Sequence, residues 1–145
     1  MALTQIGSNI YGDSSGDYLG ISVSLSEDGS IVAIGAYGSD DNAAYCGEVK
    51  VLKNTNGNWT QIGSDIYGES SYDYFGVSVQ LSSDGSVVAI GSDWNSGGGD
   101  YSGHVRIYKN ISGTWTQIGS DIDGEAAEDQ SGKSISLSSD GSIVA

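Results

Sequence analysis

The chain has 145 residues, 37% of them hydrophobic, with no apolar run near the length a bilayer requires, so it predicts one soluble domain and no transmembrane helix. Nineteen acidic against five basic side chains leave a net charge of −14, a field that repels nucleic-acid backbones and anionic membrane surfaces, so neither nucleic acid nor a membrane is expected as a partner. The single cysteine, Cys46, faces Ser102 one repeat later, which excludes an internal disulfide or thiolate metal site and predicts a small, partly buried strand residue.

Taken in chain order, residues 1–3 lead straight into a repeat, with no basic start and no apolar core of a secretory signal. The string TQIGSNIYG at 4–12 returns as TQIGSDIYG at 60–68 and TQIGSDIDG at 116–124, a constant spacing of 56 residues. Residues 4–59 and 60–115 align without a gap and agree at 31 of 56 positions; the third copy covers 116–145. We therefore treat 1–145 as one array of units rather than as separate domains.

Each unit opens with a polar loop holding in-phase carboxylates, Asp13, Glu69, Glu125 and Asp17, Asp73, Asp129. Residues kept in every copy serve what every unit needs, and Asx-capped turns are the expectation here. Ile21, Val23, Leu25, and Val77, Val79, Leu81, then alternate with polar residues, which predicts half-buried strands. An Asp-Gly turn follows at 28–29, 84–85 and 140–141, a strong hairpin signal. It leads into nearly continuous β-branched runs at 31–34 and 87–90, as in a strand covered on both faces. A polar loop (36–45, 92–101) and an alternating strand (48–53, 104–109) come next. Glycine-centred turns at 54–58 and 110–114 then lead into strands at 59–62 and 115–118, where Trp59 and Trp115 read as core residues.

One period thus yields four antiparallel strands and no helix. Such a sheet cannot bury both faces alone, so units must pack face to face in series. Four short strands in a period slightly above roughly 40–50 residues predicts an all-β fold of β-propeller blades, about 2.5 blades in this chain and hence an incomplete propeller.

The phased residues carry a resemblance. Phe75-Gly76 followed by Gly91-Ser92, and Leu19-Gly20 followed by Gly35-Ala36, resemble the FG-GAP repeat of integrin-alpha-like β-propellers, over essentially the whole chain. The resemblance implies a non-catalytic binding or adhesion scaffold in a cell-surface or secreted setting, with a protein or glycan as ligand. Integrin-type blades often bind calcium in a long loop between their first two strands. Here that connection is the tight Asp-Gly turn, which offers too few oxygens, so no cofactor is carried over from the family.

Variable loops on a repeated scaffold are where specificity sits. The most divergent stretch lies between the second and third strands, and it supplies the candidate ligand contacts Asp93, Trp94, Asp100, Tyr45 and Tyr101. Asp40, Asp41 and Asn42, or Asp93, Asn95 and Asp100, are the candidate calcium ligands, at a spacing that matches no known ligand loop. Acidic side chains beside Tyr11, Tyr18, Tyr67 and Tyr74 suit sugar hydroxyls and rings. His104, the sole histidine, is replaced by Glu48 one unit earlier and is expected on a strand surface. No nucleophile elbow and no repeated base accompany it, so we expect no enzyme; a polysaccharide hydrolase using loop carboxylates is the catalytic alternative. Asn58 and Asn110 lie in N-glycosylation patterns.

In the third copy Leu19 and Phe75 give way to Ser131, Tyr18 and Tyr74 to Gln130, and Ile21 and Val77 to Lys133, polar replacements of the kind a capping repeat carries. A fragment of a longer array, an open array stacked against a partner, and a homo-oligomer in which chains complete the ring between them are the three expectations for how the open faces are covered. The last would be a self-assembling structural module.

Overall fold

The computed structural model describes residues 2–145. Strands β1 (Ser22–Leu25), β2 (Ile31–Ala36), β3 (Glu48–Thr55) and β4 (Asn58–Gln61) form one antiparallel sheet in chain order, and β5 (Ile66–Tyr67) also pairs with β3. The second unit repeats this with β6 (Ser78–Leu81), β7 (Val87–Ser92), β8 (His104–Ile111), β9 (Thr114–Gln117) and β10 (Ile122–Asp123). There is no helix among the described residues, hence none long and apolar enough to cross a membrane. The chain is an incomplete β-propeller: two blades and part of a third.

The fourth strand is broken in both units. β4 pairs with the far half of β3 (Leu52↔Gln61) and β5 with its near half (Val49↔Ile66). Gly63, in the left-handed region at φ 72°, lies between them. The Asp-Gly hairpins form as expected: Asp28 Oδ1 accepts from Ser26 Oγ (2.7 Å) and from the Ser30 amide (2.9 Å), and these bonds hold its carboxyl down at about 2.

Face-to-face packing of the units creates the core. Ala33, Val49, Val51 and Ile66 of the first unit cluster with Phe75, Val79, Leu81, Val88 and Ile90 of the second. The serines of β1 point toward this interface: Ser22 Oγ donates to the Gly76 carbonyl (2.8 Å), and Ser24 Oγ accepts from the Leu81 amide (2.9 Å). The next boundary is built alike, with Ser78 Oγ donating to Gly132 (2.6 Å). The Glu27 amide bonds Ser83, and the Ser83 amide bonds Ser139, both at 2.8 Å, a ladder running through three units.

These contacts explain the paired glycines of the sequence. Gly76, at φ 87°, brings its carbonyl so close to Gly35 that a Cβ there would overlap it, and Gly132 stands in the same relation to Gly91. Phe75 beside it is fully buried and donates its amide to Cys46 (3.0 Å). The "FG" of one unit thus docks on the "GA" or "GS" of the unit before.

Three expectations are corrected. Ile21, Val23 and Leu25 are 52%, 63% and 58% exposed, whereas Val79 and Leu81 are 7% and 3% exposed. The reason is the direction of packing: this face is turned away from the second unit, and Val32, Ile34 and Leu52 beside it are covered by Ile10, Leu19 and Trp59. Trp59 and Trp115, expected within the core, lie half-buried at its margin, packed against the two clusters and donating their indole N–H to Ile6 (3.1 Å) and Ile62 (2.8 Å). His104 is buried, not on a strand surface.

Candidate functional site

In each sheet the starts of β1 and β3 and the end of β2 lie at one edge, so the loop before the first strand and the loop between the second and third share that edge. Across it runs a connected set of aromatic rings. Tyr18 stacks on Tyr37 (centroids 5.1 Å apart), Tyr37 meets Tyr74 edge-on (5.4 Å), Tyr74 meets Trp94 (5.0 Å), and Trp94 meets Tyr101 (5.1 Å). Tyr74 also meets Tyr45, which stacks on Tyr72. The net spans two units, and much of it faces solvent: Tyr18, Tyr45, Tyr72, Trp94 and Tyr101 are all exposed.

Five of these tyrosines, 18, 45, 72, 74 and 101, have φ between 51° and 66°, a region bulky residues rarely enter. The scaffold imposes that backbone, since Gln130 and Glu128 adopt φ 53° and 67° at the positions of Tyr74 and Tyr72 in the third unit. The first unit meets the demand at the latter position with Gly16, also at positive φ. Tyr72 is therefore an aromatic ring at a strained position that the other two units fill with glycine and glutamate.

Beside Trp94 the two loops enclose a cleft of about 620 Å³, lined by Tyr72, Trp94 and Tyr101 together with Glu69, Asp73, Asn95 and the serines 70, 71 and 96. Its size falls within the range of about 300–1,000 Å³ usual for small-molecule sites. The polar floor is fixed. Asn95 Nδ2 donates to Glu69 Oε1 (3.2 Å) and Asp73 Oδ1 (3.1 Å), while Asn95 Oδ1 accepts from the Gly97 amide (2.8 Å). Asp73 Oδ2 accepts from the Ser70 amide three residues before it (2.8 Å), as Asp17 does from Ser14 and Asp129 from Ala126, so these carboxylates cap turns as expected from the repeat. Burial raises the Asp73 carboxyl, with the Ser70 amide, nearby His104 and the Asn95 amide opposing.

Below the cleft lies an ionic cluster repeated in phase. In the first unit Lys50 Nζ is held by Asp13 (2.7 Å) and Asp65 (3.0 Å), with the wholly buried Glu48 at 3.6 Å. In the second, Arg106 bonds Glu69 (2.6 Å) and clasps both oxygens of Asp121 (2.8 and 2.6 Å), with His104 in the place of Glu48. The three acidic or imidazole groups of each set lie within 4.8 Å of one another, and the chain's own Lys50 or Arg106 sits among them as the cation. Burial outweighs Lys50 and pushes Glu48 up to about 7, because Lys50 is closer to two other carboxylates. Burial, then Arg106, depress His104.

Of the residues singled out from sequence, the structure brings Trp94 and Tyr101 into the cleft and links Tyr45 to it through Tyr72 and Tyr74. Asp93 is buried beneath Trp94's loop and Asp100 is exposed on it, and neither lines the cleft. Asp40 and Asp41 are exposed on the first unit's loop, and Asn42 is tied to it by donating to the Gly68 carbonyl (3.1 Å). Glu69 and Asp73 stand out in the sequence only as in-phase carboxylates, read first as turn residues and second as partners for sugar hydroxyls; Tyr72 is not singled out there, and comparing it with Gly16 is the signal available.

Residues 12–51, from the opening loop of the first unit into β3, match the family model described as FG-GAP repeat. No curated protein matches the chain.

Proposed function

We propose that the chain is a non-catalytic binding module in which a β-propeller scaffold presents its ligand contacts at the aromatic loop edge, with the cleft beside Trp94 as the principal site. The observation that supports this most is the placement of exposed aromatic side chains on backbone that disfavours them, around a cleft whose polar floor is already hydrogen-bonded. The ionic groups nearby are engaged with Arg106 and Lys50, in the manner of structural pairs rather than of a free acid and base.

Amide-resolved NMR of the isotope-labelled chain against a fragment library tests the reading. Shifts that cluster on the Trp94 indole, Gly97 and Ser71 are expected. Shifts confined to the opposite edge, at Asp28-Gly29 and Asp84-Gly85, would refute it.

The exposed face of Ile21, Val23 and Leu25 favours a second, compatible reading, that another such unit packs there, from the same polypeptide or from a second copy. Sedimentation velocity decides between concentration-dependent assembly of this chain and a persistent monomer.

A further inference from the structure

We infer that the cleft beside Trp94 takes a neutral pyranose oligosaccharide, an inference that rests on the binding-module reading and names its ligand class. The aromatic component is a set of open platforms. Trp94, Tyr72 and Tyr101 are 39%, 53% and 47% exposed, and although Tyr72 is stacked on Tyr45 and Trp94 meets Tyr74, this leaves aromatic surface open to the C–H face of a sugar. Trp94 replaces Gly38 and Tyr72 replaces Gly16 in the preceding unit, so these platforms belong to one site rather than to the repeat.

The polar component selects hydroxyl groups. Asn95 is 2% exposed and its side chain is fixed by Glu69, Asp73 and Gly97, so the carboxylates around it present oriented oxygens without reorganising. Serine hydroxyls at 70, 71 and 96 add groups that both donate and accept.

Charge excludes the neighbouring classes. No lysine or arginine lines the cleft, Glu69 and Asp73 do, and the chain carries −14, so uronates, sialosides and sulfated sugars are repelled. An organic cation needs an uncompensated carboxylate or an enclosing cage. Here Glu69 is paired to Arg106 at 2.6 Å, Asp73 already accepts from Ser70 and Asn95, and the rings form no closed cage.

The test is isothermal titration of the whole chain with cellotriose, maltotriose, mannotriose and chitotriose, alongside trigalacturonate and tetramethylammonium. At least one neutral trisaccharide is expected to bind one to one and to perturb the Trp94 indole resonance. Trp94→Ala is expected to weaken it by roughly tenfold or more, and Tyr72→Gly by roughly 3- to 10-fold. The second variant keeps the test independent of folding, because glycine suits φ 66° at that position. Tighter binding of trigalacturonate or tetramethylammonium, or unchanged affinity in Tyr72→Gly and Trp94→Ala, overturns the inference. Silence toward every saccharide while library fragments still map to the cleft overturns the sugar assignment and leaves the binding-module reading standing; silence from both removes both.

Discussion

Leu25 and Leu81 occupy the same place in successive units, yet one is 58% exposed and the other 3%. Replacing each by alanine therefore measures what stacking one unit on another contributes. At Leu81 the change removes a buried side chain from the cluster around Val51, Val79 and Ile90 and leaves a cavity, a loss of about 2–5 kcal/mol. At Leu25 no cavity forms, and the expected loss is below about 0.5 kcal/mol. Since a chain of this size shifts by about 2–4 °C per kcal/mol, Leu81→Ala should melt roughly 5–15 °C lower and Leu25→Ala within about 2 °C of the parent. Urea titrations followed by tryptophan fluorescence give the same comparison at one temperature, using midpoints at constant slope. Equal losses for the two variants would refute the account, because they would mean that both leucines are covered alike.

The buried pair Glu48 and His104 should give opposite pH responses. Glu48, at about 7 when folded against an ordinary 4.5, keeps a proton that the unfolded chain has released, so its contribution to stability falls as pH rises from 4.5 to 7. Glu48→Gln should flatten that slope and raise stability at pH 8 by about 1–3 kcal/mol, measured by urea unfolding across pH. His104 is depressed, so the unfolded chain takes up its proton first and stability falls as pH drops below 6.5; His104→Gln should remove that acid-side loss. Gly91→Ala places a methyl group on the Gly132 carbonyl and should cost about 3 kcal/mol or more, seen as a lowered melting temperature. Trp115→Phe keeps an aromatic ring but loses the bond to Ile62 and part of the indole's packing, an expected loss of about 1–2 kcal/mol in the same urea assay.

The strand order and both hairpins were legible because alternation and turn chemistry are local: Val79 and Leu81 alternate with serine and glutamine, and Asp84-Gly85 can only turn. The glycine pairs were legible as a motif but not as a contact, since Gly35 meets Gly76 only once two units stack. His104 was misplaced for a related reason. Its burial sets it against Asp121 and near Glu69 and Asp73 of the loop before β6, none of which its own strand reveals. In the cleft, Trp94 and Tyr101 stood out because they lie in the divergent loop. Asp73 did not, because its in-phase role as a turn cap concealed its place on the cleft floor.

The central claim is that successive units stack with the front of one on the back of the one before. Methyl-resolved nuclear Overhauser spectra test it most directly. The account predicts cross-peaks joining Val79 and Leu81 to the methyl groups of Ala33 and Val51, with none joining Val23 or Leu25 of the monomer to another unit. Cross-peaks from Val79 and Leu81 confined to their own unit would contradict it.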